Sequence, residues 1–114
     1  MNQNKIYSLL GLATKAGKVV SGEFAADKSV KSGNAWLVLV PTDASDNTKK
    51  MFFNMCEFYE VSCYVFGTKD ELGHAIGKEM RSSVAVTDEG FAKSLISKLK
   101  DLDSYSTEAN EWRK

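Results

Sequence analysis

Apolar positions recur at helical spacing near the start of the chain. Ile6, Leu9, Leu10 and Ala13 fall on one face, which predicts a helix over 5–16 that Ala16-Gly17 ends. Val19-Val20 is apolar but too short to define a strand by itself. Gly22 leads into a second helix over 23–32, closed by Ser32-Gly33. Trp36 to Val40 is a continuous apolar run rich in β-branched residues. It predicts a strand buried on both faces, ended by Pro41. Asp43-Ala44-Ser45-Asp46-Asn47 is dense in capping side chains, with Asp43 and Asp46 expected as caps of a third helix that runs to about Tyr59. Its apolar stripe is read as Met51, Phe52, Met55 and Phe58 or Tyr59. Val61 to Phe66 predicts a strand, Lys69 to Ile76 a short helix before Gly77, and Ser83 to Thr87 another strand. Asp88 then caps a last helix with Phe91, Leu95, Ile96 and Leu99 inward. From about residue 103 the chain is polar and acidic, and is expected to be a flexible tail.

Helices and strands therefore alternate along the chain. This order predicts one α/β domain over 1–102, with a largely parallel sheet between helical layers. In such sheets function gathers where strands end and helices begin. Here those places are Ser21-Gly22-Glu23, Pro41-Thr42-Asp43, Gly67-Thr68 and Thr87-Asp88.

Composition narrows the classes of function. The 114 residues carry 15 Lys+Arg and 15 Asp+Glu, so formal net charge is zero. An evenly spread balance of this kind argues against a strongly basic nucleic-acid binder. The balance is uneven, however: residues 1–50 carry seven lysines against four acids, and residues 101–114 two basic against four acidic residues. One histidine and two cysteines make a four-ligand zinc site unlike the usual kind, and no metal or other cofactor is expected. Cys56 and Cys63 read as half-buried thiols in a chain with no export signal, and no apolar run of about 18 residues is present to span a membrane. The expected location is the cytoplasm.

The second helix carries the strongest candidate chemistry. With Ala26, Ser29, Val30 and Gly33 inward, Phe24 lies about 200° from Ala26 at 100° per residue and faces outward. Lys28 follows Phe24 by one turn, with Lys31 beyond. An exposed ring beside two lysines at a glycine-led helix start suits RNA: the lysines meet phosphate, the ring stacks on an unpaired base, and the helix start offers amide donors. From the pattern alone a second reading stands beside it, with Phe24 tucked against a neighbouring helix and the lysines simply solvated. The remaining candidates are weaker. Ser21-Gly22-Glu23 lacks the Gly-Lys-Ser/Thr ending of a phosphate loop. Gly67-Thr68-Lys69 reads as an ordinary capped turn. His74 has no nucleophile near it in sequence and reads as a surface or RNA-contact residue, and Tyr105 and Trp112 are aromatics of the tail that a partner could engage.

Taken in order, several segments resemble the kink-turn RNA-binding ribosomal proteins of the L7Ae/L30e type, and most closely their small bacterial member. They are Leu10-Gly11-Leu12-Ala13, Ala16 to Glu23, Lys28, Ser32-Gly33, Ala35 to Val40, Asp43-Ala44-Ser45, Asn47-Thr48, Leu72-Gly73, Ile76 to Glu79 and Val84 to Thr87. The resemblance covers about residues 5–100. It implies a three-layer α/β/α sandwich around a four-stranded mixed sheet, so antiparallel pairing replaces part of the parallel arrangement read from the pattern. It implies RNA contact at the start of the second helix, through Gly22, where backbone approaches RNA closely, with Glu23 beside it, and through Lys28, where the family's helix lysine meets phosphate or base. Phe24 and Lys31 join this site from the helix pattern. Lys18 matches a lysine shared with part of the family. Gly77, Glu79 and Met80 fall in a second RNA-facing loop, Met80 near the apolar residue that covers an extruded nucleotide, with Arg81 after it. Kink-turn binders commonly carry Asn-Glu or Lys-Gln where this chain has Phe24-Ala25. Those polar side chains bond sheared G·A pairs; Phe24 can stack but cannot bond them, and Ala25 can do neither.

The resemblance and the second helix together imply a monomeric, non-enzymatic binder of structured RNA, ribosomal or kink-turn-like, with the ribosome or other proteins as further partners and no membrane. The alternative is a protein-interaction module on the same fold with weak or no RNA binding. A small-ligand enzyme of α/β type has no nucleotide motif or triad to support it.

Overall fold

The computed structural model describes residues 2–102, and the tail expectation, with Tyr105 and Trp112, lies outside them. The elements are α1 (Asn2–Lys15), β1 (Val19–Ser21), α2 (Glu23–Lys31), β2 (Leu37–Val40), α3 (Asp46–Tyr59), β3 (Ser62–Val65), α4 (Lys69–Ala75), β4 (Val84–Val86) and α5 (Glu89–Lys100). The four strands form one mixed sheet in the order β1-β4-β2-β3. Only β2 and β3 run parallel; β4 is antiparallel to both β1 and β2.

Period-two alternation sorts the strand side chains into two layers. Leu37, Leu39, Val84 and Val86 point to one face and join Ile6 and Leu10 of α1, Leu72 of α4, and Leu95 and Leu99 of α5. Val38, Val40 and Ala85 point to the other and join Ala26 and Val30 of α2 with Phe52 and Cys56 of α3. The molecule is thus a three-layer sandwich, with α1, α4 and α5 on one face and α2 and α3 on the other. All four residues of β2 are buried, as a strand covered on both faces requires.

Several sequence expectations are corrected here. The largely parallel sheet gives way to the mixed one because α4 is only seven residues, about 10 Å long. Gly77, at φ 74°, turns the chain back, so β4 starts at the end of the sheet where β3 finishes. Val19-Val20 does form a strand, paired with β4 and half-buried, with Val19 against the core on the α1 side and Val20 against the core on the α2 side. Trp36 lies outside β2 and is 48% exposed. Gly33 is not on the buried face of α2; at φ 83° it lies in the turn that follows the helix.

Helix α3 is capped by Ser45, which accepts from Thr48 N, not by Asp43 or Asp46. Asp46 is instead the first helical residue. Asp43 reaches across to the start of α4, where its Oδ1 accepts from Lys69 N at 2.9 Å. The buried residues of α3 are Phe52, Phe53 and Cys56, whereas Met51, Phe58 and Tyr59 are exposed. The stripe is rotated because Phe53 packs on Val65 and Cys63 of β3, an edge strand that pattern alone does not place under it.

Asp88 does cap α5, accepting from Phe91 N at 2.9 Å. Asp88→Ala is expected to lower stability by about 1 kcal/mol, measured by urea denaturation. An unchanged midpoint would show that the cap contributes nothing.

Candidate nucleic-acid interface

The strand directions decide which sequence segments meet. Strands β1, β2 and β3 finish at one end of the sheet and β4 begins there. Ser21-Gly22-Glu23, Pro41-Thr42-Asp43 and Gly67-Thr68 therefore gather at this end, together with the loop before β4. Thr87-Asp88 lies at the opposite end. Thr68 forms a capping box with Glu71, so Gly67-Thr68-Lys69 is the capped turn expected of it.

Gly22 is the N-cap of α2, with φ 95° and ψ 153°, a region open in practice only to glycine. Its N–H donates to the carbonyl of Ser83 at 2.9 Å. This one hydrogen bond ties the start of α2 to the segment before β4 across sixty residues of sequence. Gly22 has no side chain to cap the helix, so the first-turn amides after it face outward without a side-chain acceptor. A helix start of this kind receives anions.

Phe24 projects from the first turn and is 80% exposed, which settles the two readings of the sequence in favour of the outward ring. Lys28 is exposed one turn further along the same face. Lys31 is also exposed and pairs with Asp27 at 3.1 Å, so part of its charge is already met. Glu23, in the first turn, is exposed and complements the helix dipole.

The second segment is built on α4. Lys78 N donates to Gly73 O at 2.8 Å and Arg81 N to Lys69 O at 3.2 Å, folding residues 78–81 back along the helix. Gly73 permits this: a Cβ there would lie 1.8 Å from the carbonyl oxygen of Glu79. The loop presents Glu79 outward and leaves Met80 61% exposed. Arg81 is half-buried, and its Nε has no hydrogen-bond partner among the described residues.

The structure thus places Gly22, Glu23 and Phe24 at the same end of the sheet as Glu79, Met80 and Arg81, the two segments joined by the Gly22 N to Ser83 O bond, with Lys28 and Lys31 running away along α2. Lys18 is not part of this group. It precedes β1, at the other end of the sheet, where its carbonyl accepts from Thr87 N at 2.8 Å. Ser83 and Gly73 belong to the assembly although the pattern did not single them out for it. Gly73 had a sequence signal in Leu72-Gly73, but Ser83 acts through its backbone carbonyl, which no side-chain motif reveals. The exposed aromatics Trp36, Phe58 and Tyr59 lie at the far end, with the Phe58 and Tyr59 rings edge to face at 5.0 Å. Among the described residues no group of three or more His, Cys, Asp or Glu could hold a metal, and no helix is long and apolar enough to cross a membrane.

These features define a small α/β/α sandwich with an anion-receptive helix start and an exposed second loop at one end. The chain belongs to the ribosomal protein L7Ae/L30e/S12e/Gadd45 family, whose model matches residues 4–96. It is 48% identical over 93 residues to the RNA-binding protein YlxQ of Bacillus subtilis, a match covering 82% of this chain and 93% of that protein. A solved Bacillus halodurans protein of unknown function superposes with a TM-score of 0.82 at 38% identity, over 84% of this chain and 97% of its own. The Giardia lamblia 15.5kD RNA binding protein shares the fold, with a TM-score of 0.74 at 18% identity, over 90% of this chain and 88% of its own.

Proposed function

We propose that this chain is a non-enzymatic, cytoplasmic RNA-binding protein of the L7Ae type, with residues 1–102 as its RNA-binding unit. It receives structured RNA, ribosomal or kink-turn-like, at the end of the sheet where α2 begins. The observation that carries this reading is the Gly22 N to Ser83 O hydrogen bond, which holds an uncapped helix start beside the loop bearing Met80 and Arg81. A phosphate at the start of α2 meets outward amides, with Lys28 and the partly paired Lys31 adding charge along the helix. Phe24 offers a stacking face, Met80 an apolar cover, and Arg81 a guanidinium beside it. Glu23 and Glu79 would oppose phosphate and instead suit contact with base or ribose donors. The pair Phe24-Ala25 supplies no polar side chain for sheared G·A pairs, so affinity rests on phosphate contact, shape and stacking.

Lys28→Ala tests this directly. Binding of a kink-turn-forming RNA should weaken, and the slope of log affinity against log salt should become shallower by about 1. Unchanged affinity at moderate salt would remove Lys28, and with it the helix face, from the interface.

A further inference from the structure

A groove of ≈ 530 Å³ runs beside α2, lined by Val20, Phe24, Lys28, Ser29, Asn34 and Thr87 among others. That volume falls within the range of small-molecule sites, about 300–1,000 Å³. Its upper end opens beside Phe24, the exposed ring of the proposed RNA interface, and its lower end reaches the turn after α2. Here the Ser29 carbonyl accepts from Asn34 N at 3.0 Å, Ala35 N at 3.1 Å and Ser32 Oγ at 3.2 Å, and Asn34 Nδ2 donates to Ser32 Oγ at 3.1 Å. Those bonds hold the lower rim in place while leaving the Asn34 side-chain oxygen as an acceptor.

The floor holds an anomaly. Ser29 is only 7% exposed, yet its hydroxyl finds no hydrogen-bond partner among the described residues. A buried hydroxyl without a partner is costly and calls for a reason. The oxygen is itself covered in this structure, so a ligand polar atom meets it only after it turns to another staggered rotamer, a change that gives up no hydrogen bond.

We propose that this groove takes an unpaired nucleotide of the bound RNA, an assignment that rests on the RNA-binding reading above. Phe24 stacks on the base at the groove mouth, and Lys28 meets the adjoining phosphate. Val20 and the α2 backbone floor the apolar side. Ser29 and Asn34 provide a donor-acceptor hydroxyl and an acceptor for the base edge or ribose, with the Thr87 hydroxyl at the far wall. The site lies on the side of α2 that faces the edge strand β1, apart from the loop carrying Met80. It gives the exposed Phe24 a task that the Asn-Glu or Lys-Gln pair of kink-turn binders does not perform.

The test uses the full chain with tetrauridylate, tetraadenylate and a tetranucleotide of abasic riboses that keeps the phosphates and lacks the bases. The base-bearing probes should shift the backbone amide resonances of Val20, Ser29, Asn34 and Thr87 and bind more tightly than the abasic one. Phe24→Ala should weaken the base-bearing probes by about fivefold or more. Ser29→Ala should weaken them by about threefold to tenfold. Because Ser29→Ala removes an unpartnered hydroxyl and introduces a better helix former, it should melt no lower than the parent. Lost binding with a retained melting temperature is therefore a loss of contact, not of fold. Equal binding of base-bearing and abasic probes, or shifts confined to Gly22 and residues 78–83, overturns the groove assignment. The kink-turn-forming RNA read with Lys28→Ala separates the two proposals. If Lys28→Ala still weakens that RNA while the probes ignore the groove, only this assignment falls. If the structured RNA does not bind at all, the earlier reading falls, whatever the probes do.

Discussion

Gly73→Ala should lower stability by about 3 kcal/mol, a fall in melting temperature of about 12 to 24 °C for a domain of this size. The cause is local and severe. The added Cβ would stand 1.8 Å from Glu79 O, 2.6 Å from Glu79 C and 3.2 Å from Met80 Cα, all backbone atoms that no side-chain rotation can clear. Residues 78–81 must lift away from α4, breaking the Lys78 N to Gly73 O and Arg81 N to Lys69 O hydrogen bonds. Met80 and Arg81 move with them, so RNA affinity should fall together with stability. Thermal melting and an RNA titration well below the new melting temperature check both parts. A variant that melts within a few degrees of the parent would show that the loop does not pack on α4 as described.

Gly22→Ala should act differently. A Cβ at this position has open space around it, so no side-chain clash arises. The cost is in the backbone, because φ 95° and ψ 153° suit glycine alone, and an alanine held there is strained by about 1–3 kcal/mol. The chain can relieve that strain only by reshaping the start of α2, at the expense of the Gly22 N to Ser83 O hydrogen bond. The amides, Phe24 and the loop before β4 would then lose their alignment. We expect RNA affinity to fall more than tenfold while the sandwich stays folded, read by titration alongside circular dichroism. Parent-like affinity would mean that the junction of the two segments is not the binding surface. The two glycines thus separate two causes, steric displacement at Gly73 and conformational strain at Gly22.

How much of this was legible beforehand depended on the range of the interaction. The helical stripe of α1, the cap of α5 at Asp88 and the fully buried β2 were read correctly, since each is set by neighbours within a few residues. Helical periodicity puts Phe24 opposite Ala26 but leaves open whether a neighbouring helix covers the ring, and its 80% exposure decides that. The stripe of α3 lies one step out of phase with its sequence pattern, because Phe53 is buried by an edge strand whose position depends on the sheet order. Local sequence pairs Asp43 with the nearest helix, whereas its partner is the amide of Lys69, 26 residues away. Lys18 joins Gly22 in the sequence reading through a lysine shared with part of the family, although a strand of three residues is enough to carry them to opposite ends of the sheet.

Local pattern therefore specified the elements apart from β1, the helix face that bears Phe24 and Lys28, and the glycine that leads into α2. Resemblance to a family supplied the mixed sheet, which periodicity could not, since an apolar strand buried on both faces looks the same in either direction. Which loops meet was decided only in three dimensions. The short α4 returns the chain to the end where β3 finished, β4 enters antiparallel between β1 and β2, and Ser83 thereby comes within hydrogen-bonding distance of Gly22. That contact joins backbone to backbone across sixty residues and leaves no mark on side-chain pattern. The same holds for the groove beside α2: its walls come from a strand, a helix and the far end of β4, and the unpartnered Ser29 hydroxyl exists only once those walls close over it.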